Sequence, residues 1–279
     1  MMERLPVGCV SAILSETSPE DVFRLSAVST TFYSASEWEF IWEKFLPSEY
    51  RDVVSRSAEP LKPSTKKELF LRLCDPLLMD QGRKSFKLEK STGRVSYVLS
   101  ARELSITWSS DPIYWAWKSM PESRFQEVVE LKTGNWIEIE GKIRTGDLSP
   151  NTPYGAYLIM KVMSRAYGLD LMPSETSIGI GNRVACAHLA WLQSPSCQKQ
   201  EMECQIYGHG VEMLRKEVEE GEVRVPSERG DGWMEIELGQ FFTGGPEEST
   251  KEVKMSLKEV KGYQLKGGLV IEGIEIRPI

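Results

Sequence analysis

The period of the apolar residues changes near Lys84, and that change limits the chain to a two-part fold. Before it, apolar side chains recur at helical spacing. After it, helix signals almost vanish and short alternating or β-rich runs recur. The runs are Ser85–Leu88, Val95–Leu99, Leu104–Trp108, Phe125–Leu131, Trp136–Ile143, Tyr154–Met163, Trp233–Leu238, Val253–Val260 and Leu269–Ile276. Between them stand turn signals such as Thr133-Gly134-Asn135, Gly230-Asp231-Gly232 and Gly267-Gly268. Strands with glycine-rich turns and no intervening helices imply an antiparallel β-sandwich or jelly roll. Ile137-Glu138-Ile139-Glu140 alternates apolar with charged, so one face is buried and the other wet. Gly273 is expected to mark a bulge or bend in the last strand. Residues 164–230 fit less well and read as an elaborated loop region. Met172–Ser196 supplies strand residues within it, and 210–221 is either a helical turn or a charged loop.

In the first part, Val7, Val10, Ile13 and Leu14 share a helical face. Ser18-Pro19-Glu20-Asp21 is a start signal: Ser18 caps, Pro19 suits the first helical position, and Asp21 meets the free N–H groups. Val22, Leu25 and Val28 continue the stripe. A further short helix carries Phe32 and Tyr33, and a last one holds Trp38, Ile41, Trp42 and Phe45 before Pro47. So small a module leaves apolar surface over. That surface either docks a partner or packs on the chain's own β domain.

Residues 51–83 read as a connector. Arg51 to Pro63 is polar. Thr65 and Glu68 form a capping box before a helix that stops at Asp75-Pro76. The expected division is therefore 1–50, 51–83 and 84–279.

Three of the eight tryptophans lie between Leu104 and Trp117. Trp108 closes the alternating run Leu104, Ile106, Trp108. Ser109 to Pro112 read as a turn, and Tyr114, Trp115 and Trp117 follow. The rings are either β-domain core or the walls of a cleft. Trp117 is expected to be core or support.

Composition narrows the function. With a net charge of −7, no basic field suggests nucleic-acid binding. No apolar run approaches the roughly 18 residues of a membrane span. Five scattered cysteines without a CxxC pair, no N-x-Ser/Thr sequon and no signal peptide point to cytosol or nucleus. Glu138/Glu140 and Glu235/Glu237 are explained by strand alternation rather than as a hydrolytic acid and base. Cys186, His188, Cys197, Cys204 and His209 match no compact zinc knuckle, so no metal and no other cofactor is expected.

Two stretches resemble known families. Leu5-Pro6-x-x-Cys9-x-x-x-Ile13-Leu14-Ser15, Arg24-x-Ser26-x-Val28-Ser29 and Ile41-Trp42-Glu43-x-Phe45-Leu46-Pro47 resemble the F-box of plant lectin-like F-box proteins. The resemblance implies a small three-helix module that docks a Skp-type linker, and through it a cullin, in an SCF ubiquitin ligase. Leu5, Pro6, Val10, Ile13, Leu14, Leu25 and Val28 are the implied contacts. The β domain resembles the phloem protein 2 lectins and their Nictaba-type relatives. The carrying motifs are Leu104-Ser-Ile-Thr-Trp108-x-x-Asp111-Pro112-x-Tyr114-Trp115-x-Trp117, Trp136-x-Glu138-Ile139-x-Gly141-Lys142-Ile143, Asp231-Gly232-Trp233-Met234-Glu235-Ile236-x-Leu238-Gly239-x-Phe241-Phe242 and Gly273-x-Glu275-Ile276-Arg277-Pro278. This resemblance implies a jelly-roll β-sandwich that binds N-acetylglucosamine-containing glycans through Trp108, Trp115, Glu252 and Glu259. Together the two resemblances imply a non-catalytic substrate-recognition subunit. The alternative is an adaptor whose β domain binds a protein surface without sugar recognition.

Overall fold

The computed structural model describes residues 5–181, 183–194, 223–245, 247, 250–259 and 264–279. It divides into two compact units. The first spans 1–97 with 147–149 and Pro278, and the second holds 98–146, 150–277 and Ile279.

The first unit opens with four short helices: α1 (Val7–Leu14), α2 (Pro19–Ser26), α3 (Thr30–Ser36) and α4 (Glu39–Phe45). The stretch that the resemblance assigns to three helices is thus divided among four. The Ser18 hydroxyl accepts from the Asp21 amide at 3.1 Å and donates to its carboxylate at 2.8 Å, with Pro19 at the first helical position. Ser29 caps α3. Two further helices follow, α5 (Tyr50–Ser55) and α6 (Lys66–Cys74). Helix α5 occupies part of the expected polar linker, because Tyr50 and Val53 turn into the core. In α6 the Thr65 hydroxyl accepts from the Glu68 amide at 3.1 Å. The Glu68 carboxylate reaches back to the Ser64 amide at 2.8 Å, one residue before the cap. The apolar patch after Pro76 becomes a hairpin strand, β1 (Leu77–Met79), paired antiparallel with β2 (Lys84–Leu88).

Strand β3 (Val95–Ser100) passes from the first unit into the second. Then come β4 (Ser105–Ile106), β5 (Trp115–Lys118), β6 (Val128–Leu131), β7 (Ile137–Arg144), β8 (Pro153–Tyr167), β9 (Ser174–Ile180) and β10 (Arg183–Ala190). The last four are β11 (Ser227–Glu228), β12 (Met234–Phe242), β13 (Glu252–Glu259) and β14 (Gly267–Pro278). One sheet runs β3-β14-β8-β12-β11, with β6 paired to β14 and β5 to β6; the other runs β10-β9-β13-β7-β4. The pairs β9–β10, β11–β12, β8–β12, β7–β13, β9–β13, β6–β14, β4–β7 and β5–β6 are antiparallel.

The two sheets of the second unit pack face to face. A Cβ on Gly141 of β7 would lie 2.9 Å from Ile274 of β14, and one on Gly239 of β12 would lie 2.6 Å from Ile178 of β9. Both glycines exist because nothing larger fits between the layers. Ile137, Ile139, Val253, Met255, Leu257, Leu269, Ile271, Ile274 and Ile276 fill the interior. Strand β7 buries its isoleucines and turns Glu138 and Glu140 outward, as the alternation predicts.

Two expectations change. The strand residues expected over Met172–Ser196 form β9 and β10, which make one side of the five-stranded sheet, so this part of 164–230 belongs to the framework rather than to an elaborated loop. The stretch 210–221 lies outside the described residues, as do Cys197, Cys204 and His209. Strand β14 runs unbroken through Gly273, where a Cβ would lie 2.0 Å from the Leu99 carbonyl oxygen. Close approach of two strands, rather than a bulge, explains this glycine.

Candidate functional site

Alternation along β4 turns Leu104 and Ile106 inward and would carry Trp108 with them. It does not, because Trp108 adopts φ +60°. This left-handed conformation costs a large side chain roughly 1–2 kcal/mol. It swings the indole out of the core, leaving it 46% exposed. Surrounding bonds hold the backbone there. The Ser109 amide donates to the Ile106 carbonyl at 3.1 Å, and the Asp111 amide to the Trp108 carbonyl at 2.9 Å. The Asp111 carboxylate accepts from the Ile113 amide at 2.9 Å.

The two following tryptophans complete the brace. Trp115 donates its indole N–H to the Thr107 carbonyl at 3.0 Å, and Trp117 donates to the Ser109 carbonyl at 2.9 Å. The carbonyls on either side of Trp108 are thereby fixed. Arg102 lies 3.6 Å above the Trp117 ring and pairs with Glu127 at 2.7 Å. Trp117 is therefore support, one of its two expected roles. Trp115 is only 2% exposed, so its ring presents no face to a ligand in solution.

A second connection completes the corner. The β6–β7 turn is tied to the β4–β5 loop where the Lys132 amide donates to the Tyr114 carbonyl at 2.8 Å. This turn delivers Trp136, 38% exposed, to within 6.4 Å of Trp108 between ring centroids. Tyr114 lies 4.9 Å from Trp108 on a ring tilted by 30°. Three aromatic rings thus gather at the edge of the sandwich, with the exposed Ile113 next in sequence to Tyr114. Trp136 was absent from the expected site residues, although its position carries a signal. It shares strand parity with Glu138 and Glu140, so the alternation that makes them wet turns Trp136 outward too.

Glu138 stands beside the rings. Its carboxylate accepts from the Trp136 indole N–H at 3.4 Å and the Thr107 hydroxyl at 3.3 Å, and it pairs with Lys258 at 2.7 Å. The Lys258 ammonium, with smaller help from Trp136 and Thr107, holds the carboxyl below the usual glutamate range. The Lys258 ammonium is raised in turn by Glu138. Farther along the same face Lys254 pairs with Glu140 at 2.5 Å, and Lys142 pairs with Glu252 at 3.2 Å.

The two expected glutamates do not meet. Both lie on β13, but 252 and 259 differ in parity and are separated by seven residues. Glu252 is exposed opposite Arg144, while Glu259 is buried opposite Ile137 and pairs with the equally buried Lys266. Of the four residues expected to hold a glycan, only Trp108 presents its surface at the aromatic corner. Trp115 lies beneath it, Glu259 is buried in the strand pair beside Ile137, and Glu252 lies at the far end of β13.

In the helical unit, Leu5, Pro6, Ile13 and Val28 are exposed and Leu25 is half-buried. Val10 and Leu14, expected among the linker contacts, are buried inside that unit. Helical spacing marked the most apolar face, and in so small a bundle that face serves its own core. Among the described residues no group of His, Cys, Asp and Glu side chains gathers as a metal site. No helix among the described residues is long and apolar enough to cross a membrane.

Two family models match the chain: the F-box domain over residues 2–44 and phloem protein 2 over residues 94–278. The chain is 54% identical to the F-box protein PP2-B15 of Arabidopsis thaliana, with 98% of this chain and 96% of that one aligned. It is 50% identical to the F-box protein PP2-B13 of the same plant, over 100% of this chain and 99% of that one. With the F-box protein VBF, also of Arabidopsis thaliana, identity is 49% over 99% of both chains.

Proposed function

Since the chain belongs to the plant F-box proteins that carry a phloem protein 2 domain, we propose that it is a substrate-recognition subunit of an SCF-type ubiquitin ligase. In this reading the exposed Leu5, Pro6, Ile13 and Val28 meet a Skp-type linker, and the linker brings a cullin. The β domain captures a glycan or glycoprotein bearing N-acetylglucosamine, in cytosol or nucleus. The protein performs no bond chemistry itself; it brings a substrate to enzymes that do.

The observation that carries the glycan half is the exposed Trp108 with its strained backbone. Strain at a non-glycine residue persists where neighbours over-determine it, and such residues cluster at ligand sites. An indole covers the C–H face of a hexose, contributing on the order of 1 kcal/mol per stack. Glu138 lies at the rim, where a carboxylate accepts from sugar hydroxyls through charge-assisted bonds. One or two stacks with a few such bonds support affinity between about 1 mM and 1 μM.

Glycan-array binding by the full chain tests this half, with Trp108→Ala as the control. We expect binding of N-acetylglucosamine oligomers that falls about tenfold or more in the variant. A signal that Trp108→Ala leaves untouched removes the corner from the reading. Absence of any glycan signal favours the alternative, an adaptor for a protein surface. For the linker half, co-purification with a Skp-type protein is expected to fail in Leu5→Ala/Pro6→Ala.

A further inference from the structure

Glu259 and Lys266 form an ion pair with both side chains about 2% exposed. Lys266 also donates from its ammonium to the Gln264 carbonyl at 3.1 Å. A charge sealed in the interior is retained only with its partner, because neither can recover its hydration. The two residues are also the backbone partners of the turn that carries Trp136. Glu259 stands opposite Ile137 in the β13–β7 register. Lys266 forms an isolated antiparallel bridge with Gly134: its amide donates to the Gly134 carbonyl at 2.8 Å, and the Gly134 amide returns a bond at 3.0 Å. Only Asn135 and Trp136 lie between Gly134 and Ile137.

We infer that Glu259 is a positioning residue: by clamping Lys266 it fixes both ends of the Gly134–Ile137 turn and so sets Trp136 beside Trp108. The pair closes a loop of contacts. One end of the turn is held by Lys266 through its backbone, the other by β13, and the side-chain pair ties these two holders together. Tyr114 packs against the same turn, since a Cβ on Gly134 would lie 3.9 Å from its ring. The turn thus has a fixed floor, and its one large exposed side chain has a fixed direction. Preorganisation of this kind raises affinity by removing the ordering cost from the binding step. The inference rests on the glycan reading only for its effect on affinity; the clamp itself is measurable without a ligand.

The test uses the full chain with Glu259→Gln, Lys266→Gln and the double variant. Hydrogen exchange at the Gly134 and Lys266 amides reads the clamp, and chitotriose titration reads the site. Each single variant is expected to speed exchange at both amides by about a hundredfold and to weaken chitotriose by about tenfold. The double variant leaves no lone buried charge and keeps a neutral hydrogen-bonding pair, so it is expected to recover most of both losses. Affinity lost with the amides unmoved overturns the inference. So does a double variant whose amides recover while binding does not, since Glu259 then touches the sugar itself. If the single variants fail to fold, the double variant decides by the same two readings. A double variant that also fails to fold overturns a local clamp. If the unsubstituted chain does not bind chitotriose, the glycan reading falls, and the amides alone judge the clamp.

Discussion

The Trp108 corner and the Asp231–Glu235 stretch use similar residues to opposite ends. Each has an aspartate in a turn, a tryptophan and a glutamate. At the corner the ring is exposed, the backbone is strained and the carboxylate stands at a wet rim. In the second stretch Trp233 is 1% exposed, and its indole N–H donates to the Glu122 carbonyl at 3.1 Å. Lys161 lies 4.8 Å above that ring and pairs with Glu122 at 2.6 Å. The Asp231 carboxylate accepts from the Trp233 amide at 3.2 Å across a turn in which Gly232 takes φ +78°. Glu235 holds Arg277 through two bonds, at 2.6 and 2.8 Å, and also pairs with Arg229. Both arginines reach Glu275, at 2.6 and 2.8 Å. Residue type therefore does not divide display from support. What divides them is burial: Trp108 and Trp136 keep much of their rings in solvent, whereas Trp233 is enclosed.

Breaking the support side should give the largest effect. Trp233→Ala removes a buried indole and leaves a cavity, at about 3–5 kcal/mol. For a domain of this size that lowers the melting temperature by about 10 °C, read by calorimetry. Chitotriose affinity of the molecules that remain folded should not change. A variant that melts normally and loses sugar would place Trp233 on the display side.

Glu235 sharpens the same contrast through pH. Arg277, and to a lesser degree Arg229, hold its carboxyl below the usual glutamate range, against the opposing effect of burial. A lowered native value means the contribution is fully present above the unfolded value of about 4.3 and is lost as pH falls through the native one. Glu235→Gln leaves two arginines short of one carboxylate and should cost about 3 kcal/mol at neutral pH. The difference should shrink as pH falls below the usual glutamate range and through the lowered native value, where the unsubstituted glutamate is protonated as well. Urea unfolding at neutral pH and along the acid limb measures it. A penalty that does not change with pH would mean that packing, rather than charge, explains the residue.

Much of the framework is legible in the residues. The change of period at Lys84, the caps at Ser18 and Thr65, and the Ile137–Glu140 alternation each report a local rule that the tertiary structure obeys. The site is less legible, because it is built where local rules are overridden. Alternation with Leu104 and Ile106 places Trp108 inside, and only a positive φ that no residue pattern announces brings it out. Trp115 and Glu259 have the side chains of sugar ligands, but burial depends on what lies above them. For Glu259 that is a lysine seven residues on, folded back onto it. Trp136 is legible by its parity with Glu138 and Glu140, although the resemblance assigns it no contact with a glycan.

The smallest expected change in stability gives the sharpest comparison. Every substitution on the support side should destabilise. Trp108→Gly should destabilise least, because glycine adopts φ +60° without the steric cost that an indole side chain meets. The exposed ring contributes its contacts with Tyr114 and Trp136, roughly 0.5–1.5 kcal/mol per aromatic pair. Relief of strain offsets about 1–2 kcal/mol of that loss. The greater freedom of glycine in the unfolded chain takes back a few tenths to about 1 kcal/mol. Loss of the two ring pairs and the entropy of glycine, set against the strain relieved, leave a net between about 1 kcal/mol stabilising and about 3 kcal/mol destabilising. Trp108→Ala, which keeps a Cβ at the strained position, should be less stable than Trp108→Gly. Chitotriose binding should be lost in both. Equal melting temperatures for the two variants would show that the backbone at 108 is not strained. The exposure of this tryptophan would then follow from its neighbours' packing rather than from a conformation held against its cost.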